Sequence, residues 1–97
     1  MAEIVYSPNA IANLERAFEY LADKDPRAPL AAASAIRTAV DVLARHPLIG
    51  RPLEGELREL VISFGRTGYV ALYRFVLSEN RVRVLAIRHQ RELDYPA

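Results

Sequence analysis

The sequence predicts an α+β domain with the order β-α-α-β-β-β, a helical hairpin packed on one face of a small, twisted and mostly antiparallel sheet. Three observations predict it. Apolar residues recur at spacings of three and four through residues 8–46, the spacing becomes that of strands beyond residue 56, and only short turns separate the apolar runs from there on. A chain of 97 residues has material for one hydrophobic core, so residues 1–97 are read as a single domain.

Each element has its own reason. "EIVYS" alternates around Ile4 and Tyr6 as a first strand, and Ser7 with Pro8 then starts a helix, serine as N-cap and proline at the first helical position. Ile11, Leu14, Phe18 and Leu21 form its apolar stripe, which ends near Asp23, where "DKDPRAP" breaks the pattern. The second helix, "LAAASAIRTAVDVLARH", places Leu30, Ala33, Ile36, Val40 and Leu43 on one face and Arg37, Asp41 and Arg45 off it, and Pro47 stops it. "PLIGRPLEGE" is a loop rich in proline and glycine. "LRELVISF", "YVALYRFVL" and "RVRVLAIRH" follow as three strands, joined by the turns "GRTG" and "SEN", a meander whose short connections require antiparallel neighbours.

Composition excludes several classes of function. There is no cysteine, hence no disulfide framework or thiolate metal site, which fits a cytoplasmic location. No basic-then-apolar leader precedes the first strand, and no run approaches the roughly 20 apolar residues of a membrane span. The net charge of +1 is unevenly spread: residues 1–56 carry six Lys/Arg against eight Asp/Glu, residues 57–97 seven Arg against four. Lys24 is the single lysine, so nearly every cation is a guanidinium, the group suited to bidentate contact with phosphate or carboxylate.

Few residues offer chemistry. His46 falls in the last turn of the second helix, where it suits the helix end, and no carboxylates are spaced with it or with His89 to make a metal site. "GRTG" lacks the lysine and helix of a phosphate-binding loop, and no serine lies in a nucleophile elbow. No cofactor is expected. What remains is the arginine set of the strands and the closing stretch "VRVLAIRHQRELDYPA", which brings Arg88, His89, Arg91 and Tyr95 together at a strand end. Arg74 stands out because it interrupts the otherwise apolar "YVALYRFV", where a charge must reach the rim, pair, or line a groove.

Taken together, the loop Gly50-Arg51-Pro52-Leu53, the entry Leu57-Arg58-Glu59-Leu60, the pair Gly68-Tyr69 and the ending Ile87-Arg88-His89-Gln90-Arg91 resemble the RelE/ParE superfamily of bacterial type II toxins along practically the whole chain. The resemblance implies a partner antitoxin, ParD-like, and one of two activities. RelE-like members cut messenger RNA on the ribosome; ParE-like members inhibit DNA gyrase. The nuclease pattern implies lysines where this chain has Val61 and Ser63, an arginine where it has Val70, an arginine near His89 and a tyrosine at Tyr95. Three of those cations are absent, and a crowded phosphate in a cleavage transition state needs them. The resemblance therefore implies the ParE-like branch, a gyrase inhibitor without a catalytic residue of its own and without direct sequence-specific nucleic-acid binding. The gyrase-contact candidates are Arg66, Arg74, Arg88 and Arg91, and the antitoxin-binding candidates are Leu14, Phe18 and Leu21. The alternative is a RelE-like endoribonuclease using His89, Arg91 and Tyr95.

Overall fold

In the computed structural model, which describes residues 1–92, 94 and 95, a short strand β1 (Glu3–Tyr6) leads into helices α1 (Pro8–Lys24) and α2 (Ala28–Asp41). Four strands follow: a two-residue β2 (Arg51–Pro52), then β3 (Leu57–Phe64), β4 (Thr67–Val76) and β5 (Arg81–His89). They form one sheet in the order β1-β5-β4-β3-β2, antiparallel except where β1 lies parallel to β5. The predicted β-α-α-β-β-β order is the observed one, with β2 as a short addition from the proline-glycine loop pairing with β3 through Arg51 and Glu59.

The start of α1 is built as the sequence indicates. Ser7 Oγ accepts the Ala10 N–H at 3.0 Å and Pro8 follows, so an otherwise orphaned donor is satisfied. The same hydroxyl donates to the Leu85 carbonyl, and so does Asn9 Nδ2. Leu85 is the extra residue of a bulge in β5, since Leu72 pairs with Ala86 and Tyr73 with Val84. Beyond Tyr6, no strand among the described residues flanks β5 on this side. The polar side chains of α1 take that place, and Asn13 Oδ1 accepts the Ile87 N–H at 2.9 Å.

Both helices cover one face of the sheet, burying Ile36, Val40 and Leu43 of the α2 segment against Ile62, Tyr69, Ala71, Tyr73, Val82, Val84 and Ile87. Two details differ from the sequence expectation. The α-helix ends at Asp41 and tightens into a 3-10 turn at Val42–Ala44, freeing the Ala44 carbonyl to accept the Ala2 N–H and so tie the helix end to β1. The buried stripe of α2 runs through Ala32, Ile36, Val40 and Leu43, whereas Leu30, expected on it, is 79% exposed at the overhanging first turn.

The loop before β3 is anchored through Tyr73, which is fully buried. Its hydroxyl donates to the Pro47 carbonyl and accepts the Gly50 N–H, while Arg58 Nη1 donates to the carbonyls of Leu48 and Gly50. Gly50 is required here because a Cβ would overlap the Tyr73 ring and the Glu59 carbonyl. The β3–β4 turn is Gly65-Arg66, with Gly65 at φ 60 in the first central position, where two-residue hairpins of the II′ kind favour glycine.

Candidate functional site

Three places on this frame are candidates, two of them polar and one apolar. The first lies on the open face of the sheet, away from the helices, and centres on Glu59. Side chains alternate along β3, so Leu60, Ile62 and Phe64 pack inward while Glu59, Val61 and Ser63 face the other way. Glu59 is 7% exposed and is held by three groups. Arg51 Nη2 donates to Oε1, the Tyr95 hydroxyl donates to Oε2 at 2.6 Å, and Arg88 Nη2 lies 3.8 Å from Oε2. Arg88 also stacks over the Tyr95 ring, 5.2 Å from its centroid, and donates to the Glu92 carbonyl at 2.8 Å.

This network sets the acidity of its members. The hydrogen bond from Tyr95 holds the Glu59 carboxyl below its ordinary value, with Arg51 and Arg88 acting in the same sense against the effect of burial. Burial, and then the adjacent Glu59, push the Tyr95 phenol well above the usual tyrosine range. At neutral pH the pair is an ionised carboxylate and a neutral phenol.

The second place is a cleft of about 580 Å³ on the opposite, helix-covered side of the sheet, between α1 and the ends of β4 and β5. His89 stands in its wall. The His89 ring meets Tyr69 edge-on at 5.6 Å, its Nδ1 accepts the Arg91 N–H, and its Nε2 lies 2.6 Å from Thr67 Oγ1. Because Nδ1 is an acceptor, the neutral ring carries its proton on Nε2 and donates to Thr67. Arg16, Arg66, Arg91 and Tyr20 complete the rim, and Asn13 sits at the floor, 5% exposed. The Asn13 Nδ2 group has no hydrogen-bond partner among the described residues, a deficit worth about 1–3 kcal/mol.

The third place is an apolar groove of about 510 Å³ between the helices, lined by Tyr6, Ile11, Leu14, Phe18, Leu30, Ala33, Ile36 and Arg37 among others. Ile11 and Leu30 are 46% and 79% exposed there.

The residues singled out from the sequence are thus divided among these places. Arg88 and His89 are consecutive on β5 and point to opposite faces, so His89 lies in the cleft while Tyr95 lies on the open face with Glu59. The geometry does not bring His89 and Tyr95 into one constellation. Arg66 and Arg91 share the cleft rim with His89. Arg74 is an exposed residue on the open face, 3.8 Å from Glu56, whereas Arg88 is drawn into the Glu59 network with its side chain 17% exposed. Leu14 and Phe18 line the interhelical groove, and Leu21, half-buried, is not among its lining residues. Among the described residues no group of His, Asp or Glu is arranged to hold a metal ion, and no helix is long and apolar enough to cross a membrane. Sequence reasoning missed Glu59, whose place in "LREL" reads as an ordinary surface charge, and Asn13, a polar residue one place before the Leu14 of the apolar stripe. For Asn13 the signal was a conflict, a polar residue on the side of α1 that the helix period assigns to a covered surface; for Glu59, on the open-face period of β3 with Val61 and Ser63, the sequence carried no such signal.

A helical hairpin over a mixed sheet, with first and last strands parallel and the glycine-arginine-proline loop pinned beneath the sheet, is the architecture of a small RelE/ParE-type toxin. The chain belongs to the family described as "ParE toxin of type II toxin-antitoxin system, parDE", whose model it matches over residues 4–94. Three toxins of Caulobacter vibrioides are similar to it. Toxin RelE2 is 33% identical over 93 residues, 96% of this chain and 100% of the relative. Toxin RelE3 is 33% identical over 92 residues, 95% and 98% of the two chains. Toxin RelE1 is 33% identical over 86 residues, 89% and 90%. The protein is therefore a type II toxin of the RelE/ParE superfamily, and a partner antitoxin is implied.

Proposed function

We propose that this toxin acts by inhibiting DNA gyrase and not by cutting RNA. The open face carries the argument. Where metal-free cleavage needs cations around a phosphate, this face presents Val61, Ser63 and Val70, and a buried carboxylate, Glu59, lies beside them. That carboxylate repels a phosphate and already occupies Arg51, Arg88 and Tyr95. Tyr95 is also poorly suited to proton transfer, because its acidity is displaced away from neutral pH. The family match to ParE toxins supports the same branch. The arginines left to meet an acidic surface of the target are Arg66, Arg74 and Arg91, all exposed.

The names of the three relatives favour the second reading, a RelE-like endoribonuclease acting on ribosome-bound messenger RNA. Two assays on the purified chain decide between them: supercoiling by gyrase, and integrity of messenger RNA in a ribosome-containing translation extract. Loss of supercoiling with intact messenger RNA is expected; cleaved messenger RNA with normal supercoiling reverses the assignment.

The interhelical groove is our proposed seat for an apolar segment of a ParD-like antitoxin, which would fold as it binds. Leu14 and Phe18 line it and Leu30 stands exposed at its rim. Leu30→Asp leaves the core untouched and is expected to weaken antitoxin binding. Unchanged affinity moves the antitoxin site elsewhere.

A further inference from the structure

We propose that the outer edge of β3 around Ile62 pairs with the same edge of a second copy of this chain, so that the two sheets run into one across a two-fold axis. This goes beyond the toxin's action on its target and does not depend on which target that is. The two sides of the sheet are finished differently. On the β5 side, β1 is short and carries Glu3, which is paired with Arg81. Beyond it the Leu85 carbonyl accepts from Ser7 and Asn9, the Ile87 N–H donates to Asn13, and the His89 N–H donates to Glu92 Oε1. On the β3 side, β2 covers only Arg58 and Glu59, and the chain leaves the edge at Gly50, whose N–H donates to the Tyr73 hydroxyl. The Leu57 carbonyl accepts the Leu53 N–H, so the odd-numbered residues of β3 turn their backbone groups outward. For Val61 and Ser63 those groups have no partner among the described residues, and both residues are exposed.

Strand edges that stay open in a monomer are blunted by a charge, a proline or a bulge. This one has none of them: Leu60 to Gly65 is uncharged and without proline, and β3 keeps an unbroken register with β4. A second copy suits the edge because the stretch is its own complement. With Ile62 on the axis, Val61 lies opposite the partner's Ser63 and Ser63 opposite the partner's Val61, and each pair exchanges two backbone hydrogen bonds. A charge in such a pairing meets charges of its own kind from the other copy; here a β-branched side chain meets a small hydroxyl instead. Leu48 and Ile49, 59% and 58% exposed in the loop before β2, add apolar surface beside the edge. Because both copies use the same edge, association closes at two. The interface is small, so pairing is expected to be half-formed near about 100 µM and the chain monomeric in dilute assays.

The test is sedimentation velocity and amide hydrogen exchange on the full chain, from about 10 µM to about 1 mM. The sedimenting mass is expected to rise from one chain toward two. The Val61 and Ser63 amides should become protected at the high end, while those of Leu60 and Ile62, which face β4, exchange slowly throughout. Two double variants at the exposed positions read the register. Val61→Lys with Ser63→Lys sets like charges against each other across the axis and is expected to weaken association by about tenfold or more. Val61→Lys with Ser63→Glu sets lysine against glutamate and is expected to restore it. Circular dichroism checks that both variants are folded; should either unfold, exchange in the parent chain decides. The proposal is overturned if the parent chain stays monomeric through this range, if it grows beyond two copies, or if the two folded variants associate alike. It is also overturned if the Val61 and Ser63 amides are protected only when an antitoxin is added, which gives the edge to a strand of that protein.

Discussion

The two faces of this sheet use alternate residues of the same strands and bury them by different means. On the helix side Ile62, Tyr69, Ala71, Tyr73 and Val84 are packed by the hairpin; on the other side Glu59 is as inaccessible as a core residue, yet what encloses it is Arg51, Arg88 and Tyr95. Packing on the first face is distributed over many small contacts, whereas the second depends on one carboxylate and a few directed bonds. The difference predicts that the faces fail in different ways.

The largest effect belongs to the packed face. Ile62 is 1% exposed, and Ile62→Ala removes buried methylene and methyl groups and leaves a cavity, for an expected loss of about 3 kcal/mol in urea denaturation. That loss is expected to be independent of pH, since nothing in the contact titrates.

The open face should lose less, and in a pH-dependent way. Glu59→Ala leaves the Arg51 guanidinium and the Tyr95 hydroxyl without their acceptor and Arg88 without its ion pair, an expected loss of about 2 kcal/mol at neutral pH. The Glu59 carboxyl is held below its ordinary value in the fold, so its contribution is present above the unfolded carboxylate range and disappears as pH falls through the lower, folded value. Acid denaturation curves of the parent and Glu59→Ala chains should therefore converge at low pH. Curves that stay parallel across that range would show that the carboxylate is not the keystone of this face. Tyr95→Phe removes one hydrogen bond to the carboxylate and leaves Arg51 and Arg88 in place, for about 1.5 kcal/mol. On the proposed gyrase reading, inhibition by the folded variant is expected to survive, because the phenol bonds to Glu59 and not to the target.

The same contrast explains what could be read in advance. The strands Leu57–Phe64 and Arg81–His89 and the start of α1 at Ser7-Pro8 follow from local chemistry, since alternation, capping and proline placement act over a few residues. The position of β1 beside β5 was not legible, because the partner is 78 residues away and nothing in "EIVY" names it. Leu30 was misplaced for a related reason: helical period gives the spacing of a stripe but not where the sheet beneath it ends. For the candidate site, sequence proximity was misleading. Arg88 and His89 are neighbours in the chain and sit on opposite faces, while Glu59 and Tyr95 are 36 positions apart and share a hydrogen bond.

The smallest effect on stability is also the sharpest on function. Val61 is 68% exposed in the middle of the open face of β3, directly opposite Val70. Val61→Lys removes little buried surface and adds a solvated charge, so stability is expected to change by less than about 0.5 kcal/mol. It also restores one cation at a position where the resemblance to RelE-like nucleases implies a lysine. If the open face were a weakened nuclease site, a cation there would stabilise the charge developing on phosphorus, and messenger RNA cleavage in a translation extract would rise by about tenfold or more. If the face is held shut by Glu59 and Tyr95, as the geometry supports, the added lysine meets no organised phosphate site. Cleavage is then expected to stay at background while the proposed gyrase inhibition is retained, and an increase in cleavage would transfer the toxin to the ribonuclease branch.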